Sequence, residues 1–462
     1  MMRRALALAA PWLVACASTS PTEAVRDTAK LVEDRTGRRI FWNEGGQADA
    51  LVARRVRELV ERELSVDSAV AVALLNNRHL QAVYEDLSVA QADLVQAGLL
   101  RNPTLSGSVA IPVTGSGVQT GFGVGIMQEF LDLFFLSARR KVAGAELEAT
   151  ELRVTDEVLR TTADVEVAFY ALIAAQQIVD MRRTVLDAGD AAVGLAEAQH
   201  AAGNIGDLDL ANERALFEQV RTDLKRSEID CLVAREALTR LLGVWGPSTT
   251  FRVPSKLPDL PASEAPVEHL ETIAVARRAD LASARAHTQA LAHAAALAKN
   301  GRFLGGAGAG AAIERSPERY TAVSPGVSLE IPVFDQRQAA IARLEALVRQ
   351  SSEREGALAV DIRSEVRVAR GRLLAARDLV ERYAKVVVPL REQVVKLSQE
   401  QYGAMLLGAY QLLAAKQNEV NAYREFIESL REYWIARVDV ERAIGASIPG
   451  ALPPRPTGAT PP

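Results

Sequence analysis

Beyond its first fifteen residues the chain has no uninterrupted apolar run of about 18 residues, the length a helix needs to cross a bilayer. No transmembrane helix is expected, and entry into a membrane is open only to strands, the other structure that satisfies its backbone groups internally. Cysteine occurs twice, as Cys16 and Cys231. The five histidines (His79, His200, His269, His287, His293) are scattered, and none is assigned a ligand role. There are no paired histidines with carboxylates at metal spacing, no Ser or Cys nucleophile elbow and no phosphate loop. The run Gly305-Gly306-Ala307-Gly308-Ala309-Gly310 lacks the Lys-Ser/Thr pair of a phosphate loop and no helical pattern follows it, so small strand residues account for it better. The expectation is a non-enzyme with no catalytic residue, no cofactor and no metal site. The net charge is −4, and no Lys/Arg cluster is interleaved with aromatics, which sets nucleic-acid partners aside. Aromatic residues make up only 5%, whereas alanine is abundant beside Leu, Glu, Arg and Gln. That composition favours long helices whose backbones approach closely.

What is present begins with an export signal. Met1-Met2-Arg3-Arg4 is basic, residues 5–14 are mostly apolar, and Leu13-Val14-Ala15-Cys16 matches the bacterial lipobox. Residues 1–15 read as a lipoprotein signal peptide, with Cys16 as the lipidated first residue of the mature chain. An ordinary signal peptide with an accidental cysteine is the other reading. Ala17 and Ser18 follow with no aspartate, which by resemblance to bacterial lipoproteins favours outer-membrane lipid. If Cys16 carries lipid, Cys231 has no partner and no disulfide framework exists.

The chain is also duplicated. Residues 165–243 lie over 367–445 without a gap, at a constant offset of 202, so that Leu172 meets Leu374, Gly206 meets Gly408, Leu210 meets Leu412 and Gly243 meets Gly445. Residues 126–130 lie over 327–331, and 78–80 over 279–281, at an offset of 201. A period near 200 is too long for a solenoid unit and marks a repeated half-molecule.

Each half carries the same order of patterns. Residues 17–48 are polar and are expected to be an irregular tether, 49–64 an amphipathic helix, and 65 to about 97 a further helix with Ser65 as its N-cap. Then the period changes to two. Leu105, Gly107, Val109 and Ile111 alternate with Ser106, Ser108 and Ala110; after Thr114-Gly115-Ser116-Gly117, Phe122, Val124 and Ile126 alternate with Gly121, Gly123 and Gly125. The polar face is mostly Ser, Gly and Gln, closer to the lumen side of a lipid-facing barrel than to a soluble sheet, though both remain open on the pattern alone. Residues 303–313, a loop over 314–319 and 320–333 form a fainter copy. Apolar residues then recur every seventh place: Val158, Val165, Leu172, Val179, Leu186 and Val193; Leu210, Phe217, Leu224, Cys231 and Leu238; Val366, Leu373, Val380, Val387 and Val394. A strict sevenfold repeat is coiled-coil packing, with Cys231 as a buried seam residue, and apolar neighbours such as Leu159, Ile173, Leu374, Val388 and Val395 add a second contact side. The stretch 138–201 would run for about 95 Å as one helix. Pro254, Pro258, Pro261 and Pro266 interrupt both periods between the halves.

The expected organisation is a signal peptide (1–15), an N-terminal tether and short helix (16–64), a first repeat (65–246; strands about 103–130, helices about 137–202 and 207–242), a Pro-rich linker (247–266), a second repeat (267–446; strands about 302–334, helices about 336–403 and 409–445) and a Pro-rich tail (447–462). Four strands per chain cannot close a barrel, since closed barrels start at about eight, and open edges in lipid are costly. Several chains must then share one barrel.

Three segments carry a family resemblance. Ser65-Val66-Asp67-Ser68-Ala69-Val70-Ala71-Val72-Ala73-Leu74-Leu75-Asn76-Asn77 resembles the opening helix of the TolC family of outer-membrane efflux channels, in its lipid-anchored branch. Gly203-Asn204-Ile205-Gly206-Asp207-Leu208-Asp209-Leu210-Ala211 resembles the first periplasmic helix tip, and Ala404-Met405-Leu406-Leu407-Gly408-Ala409-Tyr410-Gln411-Leu412-Leu413 the second. The likeness runs from Ser65 to Gly445. It implies a mainly α fold with a membrane β-barrel: duplicated strand-strand-long-helix halves, a homotrimer closing a 12-stranded barrel, and a coiled-coil tunnel in the periplasm of a Gram-negative bacterium. It implies as partners a periplasmic adaptor (membrane fusion) protein and an inner-membrane pump of the resistance-nodulation-division type, and as tip or aperture residues Gly203, Asn204, Gly206, Asp207, Asp209, Met405, Gly408, Tyr410 and Gln411. Some members constrict the second tip with acidic rings; the matching places fall near Gln411 and Ala414, which are uncharged, so an acidic gate is in doubt here and Asp207 and Asp209 are the available acids. Asp207 fits helix N-capping as well as a pore role. The implied function is the passive exit duct of a tripartite efflux system. The alternatives are the duct of a type I protein secretion system and a non-channel adaptor lipoprotein, although two hairpins and a strand pair in each half speak against the adaptor.

Overall fold

The computed structural model describes residues 20–43, 45–111, 120–263, 269–303, 306–316, 320–404 and 406–448. The signal peptide, Cys16, Met405, Pro266, the 114–117 turn and tail residues 449–462 lie outside them. In chain order the elements are α1 (Thr22–Thr36), α2 (Gln47–Glu61), α3 (Val66–Asn76), α4 (Arg78–Ala97), β1 (Thr104–Ala110), β2 (Gly121–Glu129), α5 (Leu131–Ala201), α6 (Asp207–Leu242), α7 (Leu270–Arg277), α8 (Ala279–Asn300), β3 (Ala307–Arg315), β4 (Thr321–Leu329), α9 (Gln338–Arg382), a π turn (Tyr383–Val387), α10 (Val388–Gly403) and α11 (Ala409–Ile444). They fall into two compact units. One comprises Tyr84–Val154 and Asp280–Leu358 with the chain before Ala29; the other comprises Ala29–Val83, Thr155–Ala279 and Ala359–Pro462.

The first unit holds the sheet. Its strands run antiparallel in the order β1-β2-β3-β4, so β2 joins the hairpin of the first half to that of the second through β3. The register places Leu105 opposite Ile126, Val109 opposite Phe122, Val124 opposite Ile313 and Ile313 opposite Val323. Period-two alternation therefore gathers these apolar residues on one face, where they are solvent-exposed, Val327 by 82%. The other face carries Ser106, Ser108, Gly123, Gly125, Gly308, Gly310, Ser324 and Ser328. Strand β3 continues to Arg315 through the place expected to be a loop, because Glu314 and Arg315 still find partners in Ala322 and Thr321. Likewise α5 starts at Leu131 rather than near 137, directly after the Phe130 amide donates to the Ala307 carbonyl at 3.1 Å.

The second unit repeats one device in each half. Helix α3 is capped by Ser65, whose hydroxyl accepts from the Ser68 amide at 3.2 Å, and it ends at Asn76 instead of running on to 97. The cause is Asn77. Its backbone is extended, and its amide side chain donates to the Leu241 carbonyl at 2.8 Å while its carbonyl oxygen accepts from the His79 amide at 2.8 Å. Asn76 also donates to the Gly243 carbonyl at 2.7 Å. Gly243 ends α6 at φ 66°, and a Cβ there would lie 2.7 Å from the Asn76 carbonyl oxygen. In the second half Arg278 is extended between α7 and α8, and Gly445 ends α11 at φ 67°, with a Cβ position 3.1 Å from the Arg278 Cα. Both glycines need the left-handed conformation and the close approach at once.

Helix α1 corrects the expected tether. Ala24, Thr28 and Val32 recur every fourth residue and are buried, so part of this stretch is a packed helix. The segment after α1 brings Arg38 into a partly buried cluster in the second unit, 2.7 Å from Glu166 and 3.2 Å from the exposed Asp67. Burial pushes Glu166 up to about 7, with Glu441 and Asp67 adding to the rise against the pull of Arg38. Glu441 is raised by burial too. The Pro-rich linker is packed where it is described: Phe251, Val253 and Leu257 are buried, and the Trp434 indole donates to the Pro258 carbonyl at 2.9 Å.

The coiled-coil seam departs from its expected course at one place. Val366, Leu373 and Val380 are buried, and the next buried positions are Val388 and Val395, not Val387 and Val394. Val394 is 43% exposed. The π turn explains the slip, because an i→i+5 turn takes in one extra residue without adding a turn, and every later residue rotates out of phase by one. In α6, Leu224 and Leu238 are buried, while Cys231 is only half-buried, its thiol pushed up by desolvation.

Candidate functional site: the hairpin tips

Two helical hairpins of the second unit, α5–α6 and α10–α11, end in turns built alike. At the first, the Asn204 amide donates to the Gln199 carbonyl at 2.8 Å and the Gly203 amide to the His200 carbonyl at 2.9 Å, with Gly203 left-handed at φ 75°. This is a Schellman ending, and it stops α5 at a glycine for the usual steric reason. At the second, the Leu406 amide donates to the Gln401 carbonyl at 2.9 Å, the equivalent bond 202 residues on. Met405, which takes the place of Gly203, lies outside the described residues, and of Tyr410 only its position in α11 is described.

Each return helix starts from a glycine N-cap that offers no side-chain acceptor, Gly206 before α6 and Gly408 before α11. Asp207 is therefore the first residue of α6 and not its cap. Its carboxylate instead pairs with the His200 ring at 2.8 Å across the turn, fully exposed to solvent. Asp207 and Asp209 place two acids where the amide ends of α6 favour negative charge, whereas the first turn of α11 has none. A Cβ on Gly408 would lie 2.7 Å from the Gln411 side-chain oxygen, so Gln411 folds back over its own N-cap. An ion pair between Arg214 and Glu197, at 2.7 Å, ties α5 to α6 below the first turn. On the second hairpin the Tyr383 hydroxyl donates to Glu425 at 3.0 Å, and Tyr423 bonds Glu392.

Sequence reasoning missed two features. Leu208 and Leu406 are 73% and 79% exposed, one on each tip. The signal was there, a leucine two residues from the glycine N-cap of each return helix, outside every heptad series. The His200–Asp207 pair was missed as well, since the histidines had looked scattered.

No helix among the described residues is long and apolar enough to cross a membrane. The outer membrane efflux protein model matches residues 69–244. The cobalt-zinc-cadmium resistance protein CzcC of Cupriavidus metallidurans is 23% identical over 392 residues, 83% of this chain and 90% of that protein. Among solved structures, the Campylobacter jejuni CmeC outer membrane channel superposes with a TM-score of 0.72 at 16% identity, covering 82% of this chain and 85% of that one. CusC superposes at 0.70 and 18% identity, covering 84% and 94%. The fold is thus the mainly α architecture with a membrane β-barrel and a helical tunnel that the sequence led us to expect. The chain has the fold of outer membrane efflux channels, and its residues 69–244 match the outer membrane efflux protein family.

Proposed function

We propose that this chain is one third of a passive exit duct that carries solutes from the periplasm through the outer membrane, driven by an inner-membrane pump coupled through a periplasmic adaptor. The observation that carries this reading is the sheet. It turns Leu105, Val109, Phe122, Val124, Ile126, Val323 and Val327 outward, and among the described residues β1 and β4 each have a strand neighbour on one side only. An unpaired backbone group in hydrocarbon costs several kcal/mol, so two open edges need partners. Three copies supply twelve strands and close the barrel. The helical hairpins then form the periplasmic tunnel, with the tips as the docking end for the adaptor. Nothing in this role calls for chemistry by the duct, in keeping with relatives that are channels.

The name of the Cupriavidus relative supports resistance efflux over type I secretion, and a pump of the resistance-nodulation-division type rests on the family resemblance of the sequence. The glycines Gly203, Gly206 and Gly408, with Asn204, Asp207, Asp209, Met405, Tyr410 and Gln411, form the tip and aperture in this reading. In planar bilayers the purified trimer should give discrete conductance steps, and substitution of Asp207 and Gln411 by alanine should lengthen the open periods. A folded trimer that stays silent in both forms sinks the duct.

Lipid anchoring at Cys16 rests on the lipobox. Cys16→Ser should remove all palmitate label from the protein; a mature protein that still incorporates it would show the anchor to lie elsewhere.

A further inference from the structure

Between α5, α6 and α11 lies a cleft of about 610 Å³ whose walls are mainly apolar: Val185, Ala188, Leu216, Phe217, Val220 and Val420. Gly189 keeps it open on one side, because a Cβ there would lie 3.3 Å from the Phe217 ring, which instead tucks against the helix backbone. Charge at the rim is mostly spoken for. Arg182 pairs with Asp223 at 3.0 Å, and Lys416 with Glu419 at 2.9 Å.

Glu213 is the exception. It lines the cleft from α6, partly buried, and among the described residues it has neither a hydrogen-bond nor an ion-pair partner. Burial alone raises its pKa, with no neighbouring cation pulling it back. A carboxylate without a counter-ion on an apolar wall complements one chemistry above others, a flat apolar body bearing a single positive charge. The volume is that of a small-molecule site, commonly about 300–1,000 Å³. A helix about 10 Å across would use it up in roughly one and a half turns, too little for a docked partner helix.

We infer that this cleft is a binding site for amphipathic organic cations, with Glu213 as the counter-ion and the apolar walls of α5, α6 and α11 holding the body of the ligand. The site lies within one chain and does not depend on the duct being open, so the two readings fail separately.

The test uses the full-length protein in lipid nanodiscs, with ethidium as the cationic probe, 8-anilinonaphthalene sulfonate as the anionic one and empty discs subtracted. Ethidium should bind saturably and better than the anion. Glu213→Gln, nearly isosteric, should weaken ethidium roughly tenfold, the order of one charge-assisted contact, and should leave the anion no weaker. Ala188→Trp, which fills the cleft, should remove ethidium binding. Equal ethidium affinity in the wild type and Glu213→Gln, or saturable binding that survives Ala188→Trp, overturns the assignment. So does a protein that binds no ethidium but loses adaptor capture on Ala188→Trp, for then the cleft seats a helix. Conductance recorded on the same preparation shows independently whether the duct itself works.

Discussion

Gly310→Ala should leave almost no membrane-inserted trimer. Gly310 sits in β3 opposite Met127, on the strand pair that joins the two halves of the sheet. A Cβ there would overlap the Ile126 carbonyl oxygen and lie 2.9 Å from the Met127 Cα. Both are backbone atoms, so neither can swing aside as a side chain would. The β2–β3 ladder must open to admit one methyl group, and each ladder bond lost in hydrocarbon costs several kcal/mol. Because every copy in a closed barrel carries the same fault, the penalty is threefold per assembly. The readout is the heat-sensitive oligomer band on unboiled gels, together with recovery in the outer-membrane fraction. Gly107→Ala and Gly326→Ala are the controls, since a Cβ at either place meets nothing within 4 Å. They should assemble normally. Equal trimer yield from all three variants would mean that the close strand contact does not exist.

Acid should stabilise the Arg38 cluster. In the unfolded chain Glu166 ionises near its usual 4.5, whereas in the fold it keeps its proton up to about 7. Between those values the unfolded chain binds fewer protons than the native one, so stability falls as pH rises through the window and the deficit is constant above it. A shift of this size corresponds to roughly 3 kcal/mol for a group so little exposed. Thermal unfolding should therefore improve from about pH 7.5 to about pH 5. Glu166→Gln keeps an acceptor for Arg38 but cannot ionise. It should be more stable than the wild type at about pH 7.5 and should lose most of that advantage at about pH 5. Parallel melting curves for the two proteins across this range would rule the cluster out as the cause.

Much of this was legible in the sequence because it rests on local repetition. The offset of 202 that laid Gly243 over Gly445 is the offset between two helix endings with φ of 66° and 67°. The alternation of Phe122, Val124 and Ile126 with glycines was enough to find the outward face of β2, since period two survives any register. What stayed hidden depended on distance or on a weak pattern. Arg38, Asp67, Glu166 and Glu441 meet only after folding, and no spacing announces them. The buried stripe of α1 contains one large apolar residue, Val32, beside Ala24 and Thr28, too faint to stand out in a polar stretch. Asn77 broke a helix that its neighbours would have continued, through side-chain bonds to a segment more than 160 residues away. At the tips, the glycines were found from the family pattern, while the exposure of Leu208 and Leu406 needed coordinates.

The slipped seam has its own implication. From Val380 to Val388 is eight residues where the stripe before it steps by seven, so the chain carries one residue more than its packing uses. Take out any member of 383–387 and the stripes on either side fall into a single unbroken series. The first half, at 181–185, threads the same stretch as plain α-helix. Close behind the surplus comes Pro389, which has no amide hydrogen to give. A surplus residue can shift along a helix one peptide at a time, and each step turns the one residue it passes by about 100° while the helix beyond keeps its phase. Of the two arms that lead out to the tips, α5 and α9–α10, the second alone carries this surplus among the described residues.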